Sequence, residues 1–425
     1  MTALSDLVTR NRAGEAVAMA SVCYAQRDVL CASLLLAQAR DRTILIEATS
    51  NQVNQFGGYT GMQPADFIAY VHGLAKELGV DRELYIFGGD HLGPQVWRAE
   101  DAGSAMAKAR DLMRAYVEAG FTKIHLDCSE GCKGEPAQID DDLCARRAAA
   151  LATVCETYAL DRGALSYVVG TEVPPPGGAR GNRAYQTVAP TLPDRASHTL
   201  KLCQAAFDEA GIEAAWRRVI GLVVQPGLEF SSNHIDYFDG TTPDLLSAAL
   251  IDTPHLAFEA HSTDYQHPEV FSELARRHFA VLKVGPALTF AYRKALYALD
   301  AMSPGIDPRR SGQEVADVME AVMINKPVHW LKHYQGDSKT LRLLRHFGYA
   351  DRIRYYWREP KAQKAADCLL NSIAEPIPLT LLGQYFTPDV IDRAAGLENR
   401  AGSFAHSLIW AQVQEALNPY LFEVQ

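Results

Sequence analysis

No run of about 18 consecutive apolar residues occurs in this chain, so no membrane-spanning helix is expected. The first twenty residues mix acidic and basic side chains where a secretory leader would be uninterruptedly apolar, and no export signal is expected either. A basic excess is missing: 51 Asp and Glu outnumber 41 Lys and Arg, for a formal charge of −10. Such a surface suits neither nucleic acid nor an anionic membrane, although a small phosphorylated ligand needs only a local cluster of donors. A disulfide framework is missing too. The eight cysteines (Cys23, Cys31, Cys128, Cys132, Cys144, Cys155, Cys203 and Cys368) are scattered over 425 residues, as free thiols in a reducing compartment are. Cys128 and Cys132 lack the second pair that would complete a zinc ribbon. Internal repeats and low-complexity segments are not evident. These absences lead to the expectation of a cytoplasmic globular protein without nucleic-acid or membrane partners, with a homo-oligomer left open.

What is present is an alternation. Hydrophobic residues make up 48% of the chain at a mean hydropathy of −0.12, enough for a large core. Short apolar runs at 16–22, 44–46, 84–87, 124–126, 165–169, 219–224, 256–258 and 280–284 read as strands buried on both faces. Between them lie amphipathic helical patterns at 29–39, 64–78, 101–119, 143–158, 197–210, 243–249 and 268–278, several opening with Pro, Asp or Ser. Eight strands alternating with helices point to an α/β fold, a (β/α)8 TIM barrel. An open doubly wound sheet would alternate too. Against it, Ser21-Val22-Cys23-Tyr24 follows the first strand where a nucleotide-binding sheet has its glycine fingerprint, and polar residues follow nearly every strand. Beyond about residue 291 helical segments follow one another without strands. The expected organisation is a barrel carrying the site over 1–300 and a helical extension over 301–425 packed on it.

The residues that follow the strands carry the chemistry. After strand 2, Glu47 leads into an amide-rich loop with Ser50, Asn51, Asn54 and Gln55, a candidate cradle for substrate hydroxyls or phosphate. Strand 3 ends in Asp90-His91. His125 and Asp127, two apart on strand 4, share one face; His125 is either a ligand or a satisfied core histidine. Glu172 follows strand 5, Gln225 strand 6, and Glu259, His261 and Ser262 strand 7. Histidines and carboxylates from separate strands suit a divalent metal with an open position, and Asp90, His91, Glu172 and His261 would share one rim. Gly285 precedes a helix N-terminus, a natural anion dock beside Lys283, Ser262 and Thr263. Lys283 has three readings: phosphate ligand, buried ion pair with Glu259, or Schiff-base amine. In the extension, Arg352 and Arg354 among aromatics would reach a distal phosphate or form an interface patch.

Eight motifs in order and nearly the full length of the chain carry a specific resemblance: IEATSNQVNQFGGYTGM, GGDHLGP, KIHLD, GTEVPPPGG, VVQPG, EAHSTDYQ, LKVGPALTFA and DRIRYYW. The chain resembles the tagatose-bisphosphate aldolase accessory-subunit family, the Z subunits of galactitol and N-acetylgalactosamine catabolism. The label "tagatose 6-phosphate kinase" used in that family finds no P-loop or kinase metal motif here. The family is distantly similar to class II metal-dependent aldolases. That resemblance implies Asp90 as the proton-transfer carboxylate, His91 and His261 as metal ligands, and Gln225 where those aldolases have a third metal histidine. Glu172 would then replace that ligand, with Asp127 as the alternative proton-transfer group. The implied cofactor is a divalent metal ion, zinc first, and no NAD. Some relatives resemble ketose 4-epimerases acting on tagatose 6-phosphate. Three readings stand: a metal-dependent 4-epimerase of a phosphorylated ketose, a non-catalytic partner of an aldolase catalytic subunit, or the aldolase itself. For the first, Glu47, Ser50, Asn51, Gln55, Gln225, Glu259, Ser262, Lys283, Gly285 and Arg354 form the expected substrate-binding set.

Overall fold

Eight parallel strands close on themselves in chain order, as the alternation predicts. They are β1 (Met19–Val22), β2 (Ile44–Thr49), β3 (Tyr85–Leu92), β4 (Lys123–Leu126), β5 (Ser166–Val169), β6 (Val219–Val223), β7 (Ala257–Ala260) and β8 (Phe279–Val284), with β8 paired back onto β1. The structure, a computed structural model, describes residues 2–171, 188–373 and 376–423. Every residue of β2, β4 and β6 is buried, because helices cover the outside while side chains fill the inside.

The covering helices begin where the sequence signals a start. Asp101 accepts from the Ser104 amide at 3.0 Å and opens the helix Ala102–Ala119. Asp140 does the same for the Leu143 amide at 2.9 Å ahead of Asp141–Tyr158. Pro64 opens Pro64–Leu78, whose bounds are those the periodicity predicts. Among the described residues no helix is long and apolar enough to cross a membrane.

Five departures from expectation stand out. The helix Ala3–Arg12 was not anticipated, since three buried apolar residues make a thin stripe. Its Leu4, Leu7 and Val8 pack on Met19, Leu45, Val168, Ala257 and Val281, plugging the N-terminal end of the barrel. The first strand starts at Met19, three residues later than expected, because Asn11 of this plug donates to the Val17 carbonyl at 2.8 Å. β3 runs on to Leu92 through two glycines that read as a stop. A Cβ at Gly88 would stand 2.7 Å from Glu47 Oε1, so glycine there marks close approach inside a barrel and not a turn. After β6 a ribbon pairs Glu229–Phe230 with Ile235–Asp236, too short to leave a pattern, and the helix expected at 243–249 is a 3-10 segment, Leu246–Leu250.

Past β8 the helices Pro286–Ile306, Glu314–Asn325, Ser338–Phe347, Pro360–Ser372, Pro388–Ala401 and Phe404–Leu417 form the extension. The last returns to the barrel, where Gln414 donates to the Ala32 carbonyl at 3.0 Å and Trp410 to Asp28 at 2.9 Å. One apolar cluster runs through barrel and extension alike. A 3-10 turn of the extension, Arg352–Tyr356, brings Arg354 and Tyr355 to the cleft that also exposes Asp90, His91 and His261.

Candidate active site

Alternation along a strand sends every second side chain inward. On β4 that places Lys123 and His125 inside, with Asp127 following; on β7, Glu259, with His261 following. Lys123, fully buried, bridges Glu47 Oε1 and Glu259 Oε2, each at 2.7 Å. Lys283 of β8 bridges the same two carboxylates through their other oxygens, at 2.9 Å to Glu47 and 3.2 Å to Glu259. The four side chains form a closed ring of alternating charge across the barrel. Burial works against the Lys283 ammonium, but Asp90, Glu259 and Glu47 more than reverse this and hold its pKa well above the ordinary value. An ammonium clasped in this way is an ion-pair partner and not a free amine nucleophile. Sequence reasoning missed Lys123. Its signal was available: a lysine in an apolar strand, in step with His125 and Asp127.

Above the ring, toward the C-terminal ends of the strands, lies a layer of imidazoles and carboxylates. The pairing of β3 with β4 shifts register between Gly89 and Leu92, and His91 adopts φ 46°. This bulge lets the consecutive residues Asp90 and His91 both reach the interior. Asp90 contacts Lys283 and lies 3.0 Å from His125 Nδ1. His91 Nδ1 donates to Asp127 Oδ2 at 2.7 Å, and Ser129 holds the other oxygen through its hydroxyl at 2.7 Å and its amide at 3.1 Å. The free edge of the ring, Nε2, is 3.9 Å from Asp90 Oδ1. His261 Nε2 meets Glu259 Oε1 at 2.9 Å.

This layer fits a divalent cation on several counts. One ligand atom each from Asp90, His125, Glu259 and His261 lies within 4.8 Å of the others. The rings of His91, His125 and His261 are mutually 5.0–5.1 Å apart. Of these, His125 and His261 belong to the ligand group, and imidazoles bound to one zinc at ~2.0–2.1 Å would set their ring centres about 5 Å apart. His125 Nδ1 accepts from the His91 amide at 3.1 Å while facing Asp90 Oδ1, and its Nε2 is buried without a partner. In that tautomer two lone pairs oppose each other, an arrangement a cation relieves. Burial and the Lys283 charge push His261 down to about 3, and burial lowers His125, so both stand neutral as ligands must. Burial would raise Asp90 and Glu259, but His91 and Lys283 hold Asp90, and Lys123 and Lys283 hold Glu259, well below the carboxylate range.

Of the residues singled out from the sequence, Asp90, His91, His261, Asn51, Ser262, Lys283, Gly285 and Arg354 line one cleft. Asp127 lies just behind it as the partner of His91. Glu47 and Glu259 are fully buried in the ionic ring, beneath the cleft and not in its wall. Ser50 is also behind the wall, its hydroxyl donating to the His91 carbonyl at 2.8 Å. The structure turns two residues away. Gln55 donates to the Lys108 carbonyl at 2.9 Å, tying its loop to the neighbouring helix. Gln225 accepts from the amides of Gly227 and Leu228 at 2.9 and 3.0 Å, capping its own turn. Gly285 lines the cleft, but its amide donates to Asp264 Oδ1 at 3.0 Å, as does that of Ala287 at 2.8 Å. A carboxylate of the chain thus fills the helix N-terminus expected to dock phosphate, and Thr263 donates to the Lys283 carbonyl at 2.6 Å. Glu172 lies outside the described residues. Tyr24 and Tyr59 also line the cleft and were missed, since lone tyrosines near strand ends carry no distinguishing pattern.

A family model described as D-tagatose-1,6-bisphosphate aldolase subunit GatZ/KbaZ-like matches residues 4–425. The chain belongs to this family. Within reach of it, the chain is 48% identical over 402 residues to D-tagatose 6-phosphate 4-epimerase of Agrobacterium fabrum, covering 94% of each protein. A crystal structure described as that of a probable tagatose 6 phosphate kinase from Sinorhizobium meliloti 1021 superposes with a TM-score of 0.85 at 42% identity, covering 95% of this chain and 99% of the other. Family membership and barrel therefore agree with the motifs read from the sequence.

Proposed function

We propose that this chain interconverts D-tagatose 6-phosphate and D-fructose 6-phosphate by retro-aldol cleavage and re-addition, with a divalent cation as cofactor. The observation that carries the reading is the convergence of three imidazoles and two carboxylates at and just beneath the floor of one cleft, in a chain 48% identical to a 4-epimerase. A 2-ketose has an acidic hydrogen at C3 and none at C4, so deprotonation at carbon does not invert C4. Breaking the C3–C4 bond does, if the aldehyde half turns its carbonyl over before the bond re-forms.

Asp90, His125, Glu259 and His261 are the residues that would hold the cation. When bound, it supplies Lewis-acid polarisation of the C2 carbonyl. Lys283 and Lys123 offset part of the carboxylate charge, leaving four acidic groups (Glu47, Asp90, Asp127 and Glu259) against two ammonium groups, a balance that favours a further cation. His91 takes the C4 hydroxyl proton at Nε2 as the C3–C4 electron pair moves into the ketose half, and returns it after re-addition. Asp127 keeps the Nδ1–H of that imidazole oriented and favours its protonated form: burial opposes protonation, yet Asp90 and Asp127 together raise the His91 pKa. Relative to the class II aldolase pattern, this reading moves proton transfer from Asp90 to His91 and gives Asp90 to the metal.

The test is incubation of the purified chain with tagatose 6-phosphate and zinc, manganese or magnesium. Formation of fructose 6-phosphate supports the reading; none formed with metal confirmed bound overturns it. The family description, an aldolase subunit, favours a second reading, that the chain sustains a separate catalytic subunit. Co-purification with such a subunit, and rescue of its activity by an epimerase-dead variant, would support that alternative.

A further inference from the structure

An acidic protein that handles a phosphorylated sugar needs a local excess of positive charge, and the usual barrel location for it is closed by Asp264. The excess lies elsewhere. Arg352, Arg354 and Arg358 come from one short stretch of the extension, and among the described residues none has a carboxylate within salt-bridge distance. The neighbouring acid, Asp351, is engaged by Arg293 at 3.1 Å. Arg352 donates to the His329 carbonyl and packs 5.1 Å from the Tyr355 ring centre, Arg358 donates to the Thr60 carbonyl, and neither lines the cleft. Arg354 lines the cleft. Its Nη1 donates to the carbonyls of Ala350 and Asp351 and its Nη2 to the Tyr355 hydroxyl at 2.8 Å. Among the described residues the Nε–H and one Nη2–H have no hydrogen-bond partner, donors that can meet oxygens of a phosphate.

A second observation points to the same ligand. The Tyr24 hydroxyl, in a cleft-lining side chain only 5% exposed, makes no hydrogen bond of ordinary geometry among the described residues and has no more than a weak interaction with the Thr289 side chain. An unpaired buried hydroxyl is costly unless a ligand completes it. Tyr59 packs edge-on against Tyr355 at 5.1 Å, closing the far wall, and the Arg354 guanidinium lies 4.4 Å from the Tyr355 ring centre. Burial would raise the Tyr355 pKa, yet Arg354 and Arg352 bring it below the ordinary value, a sign of uncompensated positive potential.

We propose that Arg354, with the Tyr24 hydroxyl, holds the phosphate of the substrate and so acts as the pivot that retains the aldehyde half while its carbonyl turns. This deepens the epimerase reading and rests on it. Cleaving C3–C4 of a hexulose 6-phosphate leaves the phosphate on the three-carbon aldehyde. A phosphate fixed at the cleft rim permits rotation about the bonds between phosphate and carbonyl while preventing escape, which separates an epimerase from an aldolase.

Three measurements on Arg354→Ala, Arg354→Lys and Tyr24→Phe test this. Inorganic phosphate binding by calorimetry should weaken about 10- to 100-fold in Arg354→Ala and less in Arg354→Lys. KM for tagatose 6-phosphate should rise by a similar factor, while the preference for it over unphosphorylated tagatose collapses. Glyceraldehyde 3-phosphate released per epimerisation, trapped by a coupled dehydrogenase, should rise. A merely structural arginine would lower activity on both sugars alike and leave that ratio unchanged, which overturns the proposal. The two readings fail separately. If the unaltered chain binds phosphate through Arg354 but never converts tagatose 6-phosphate, the pivot role falls with the epimerase reading and the dock survives. If conversion proceeds and Arg354→Ala keeps both its phosphate affinity and its KM, the dock falls and the epimerase stands.

Discussion

The two ends of this barrel are built from the same eight strands and could hardly differ more inside. At the N-terminal end, Leu45, Val168, Ala257 and Val281 meet the plug helix in an apolar layer. A few residues further along, the interior changes to Glu47, Lys123, Glu259 and Lys283, fully ion-paired, and then to the imidazole layer. The lower end can be apolar because nothing has to enter it. The upper end carries charge at the expense of desolvation, and the closed ring offsets that cost only while all four members are present. The apolar layer thus lies below, the ionisable groups above, and the ring joins them.

The sharpest way to break the contrast is at His91. His91→Asn should lower kcat about 10²- to 10⁴-fold with little change in the denaturant midpoint, whereas a cavity in the lower layer should leave kcat nearly unchanged. Steady-state kinetics beside urea melts would show both. Next in size, Lys123→Met leaves Glu47 and Glu259 buried with one shared cation in place of two, and should cost about 3–5 kcal/mol of stability. A loss under about 1 kcal/mol would mean the ring is dispensable. Leu45→Ala in the apolar layer should cost about 3 kcal/mol through its cavity.

The smallest effect concerns pH. Burial raises Asp264 to about 6, so between the ordinary ~3.9 and that value the native state holds a proton the unfolded chain has released. Native stability from this group therefore falls as pH rises from about 4 to about 6, by at most about 1.4 kcal/mol per pH unit. Asp264→Asn keeps an acceptor for the Gly285 and Ala287 amides and removes the titration. The stability of the unaltered chain relative to this variant should decline across that window and level off above it, as urea melts at stepped pH would show.

The sequence carried the alternation that predicts a barrel, and with it the rim residues, because burial on both faces forces apolar strands and leaves polar groups only inside or at their ends. It did not carry the sorting of those groups. Glu259 and Glu47 look like rim acids but serve the ring, since their partners Lys123 and Lys283 come from strands 76 or more positions from Glu47. Gln55 and Gln225 look like substrate ligands, yet Gln55 ties its loop to the neighbouring helix and Gln225 caps its own turn. The bulge at Asp90-His91 has no signature beyond two glycines.

Local order, then, was written in the chain: which stretches are strands, which helices cover them, and which families share its motifs. Periodicity and capping act over a few residues and are legible there. Whether a given charge faces substrate, a cation or another charge was decided by closure of the barrel and by the return of the extension over its mouth. Electrostatic partners are set by distance in space, and these partners meet only when the last strand pairs with the first.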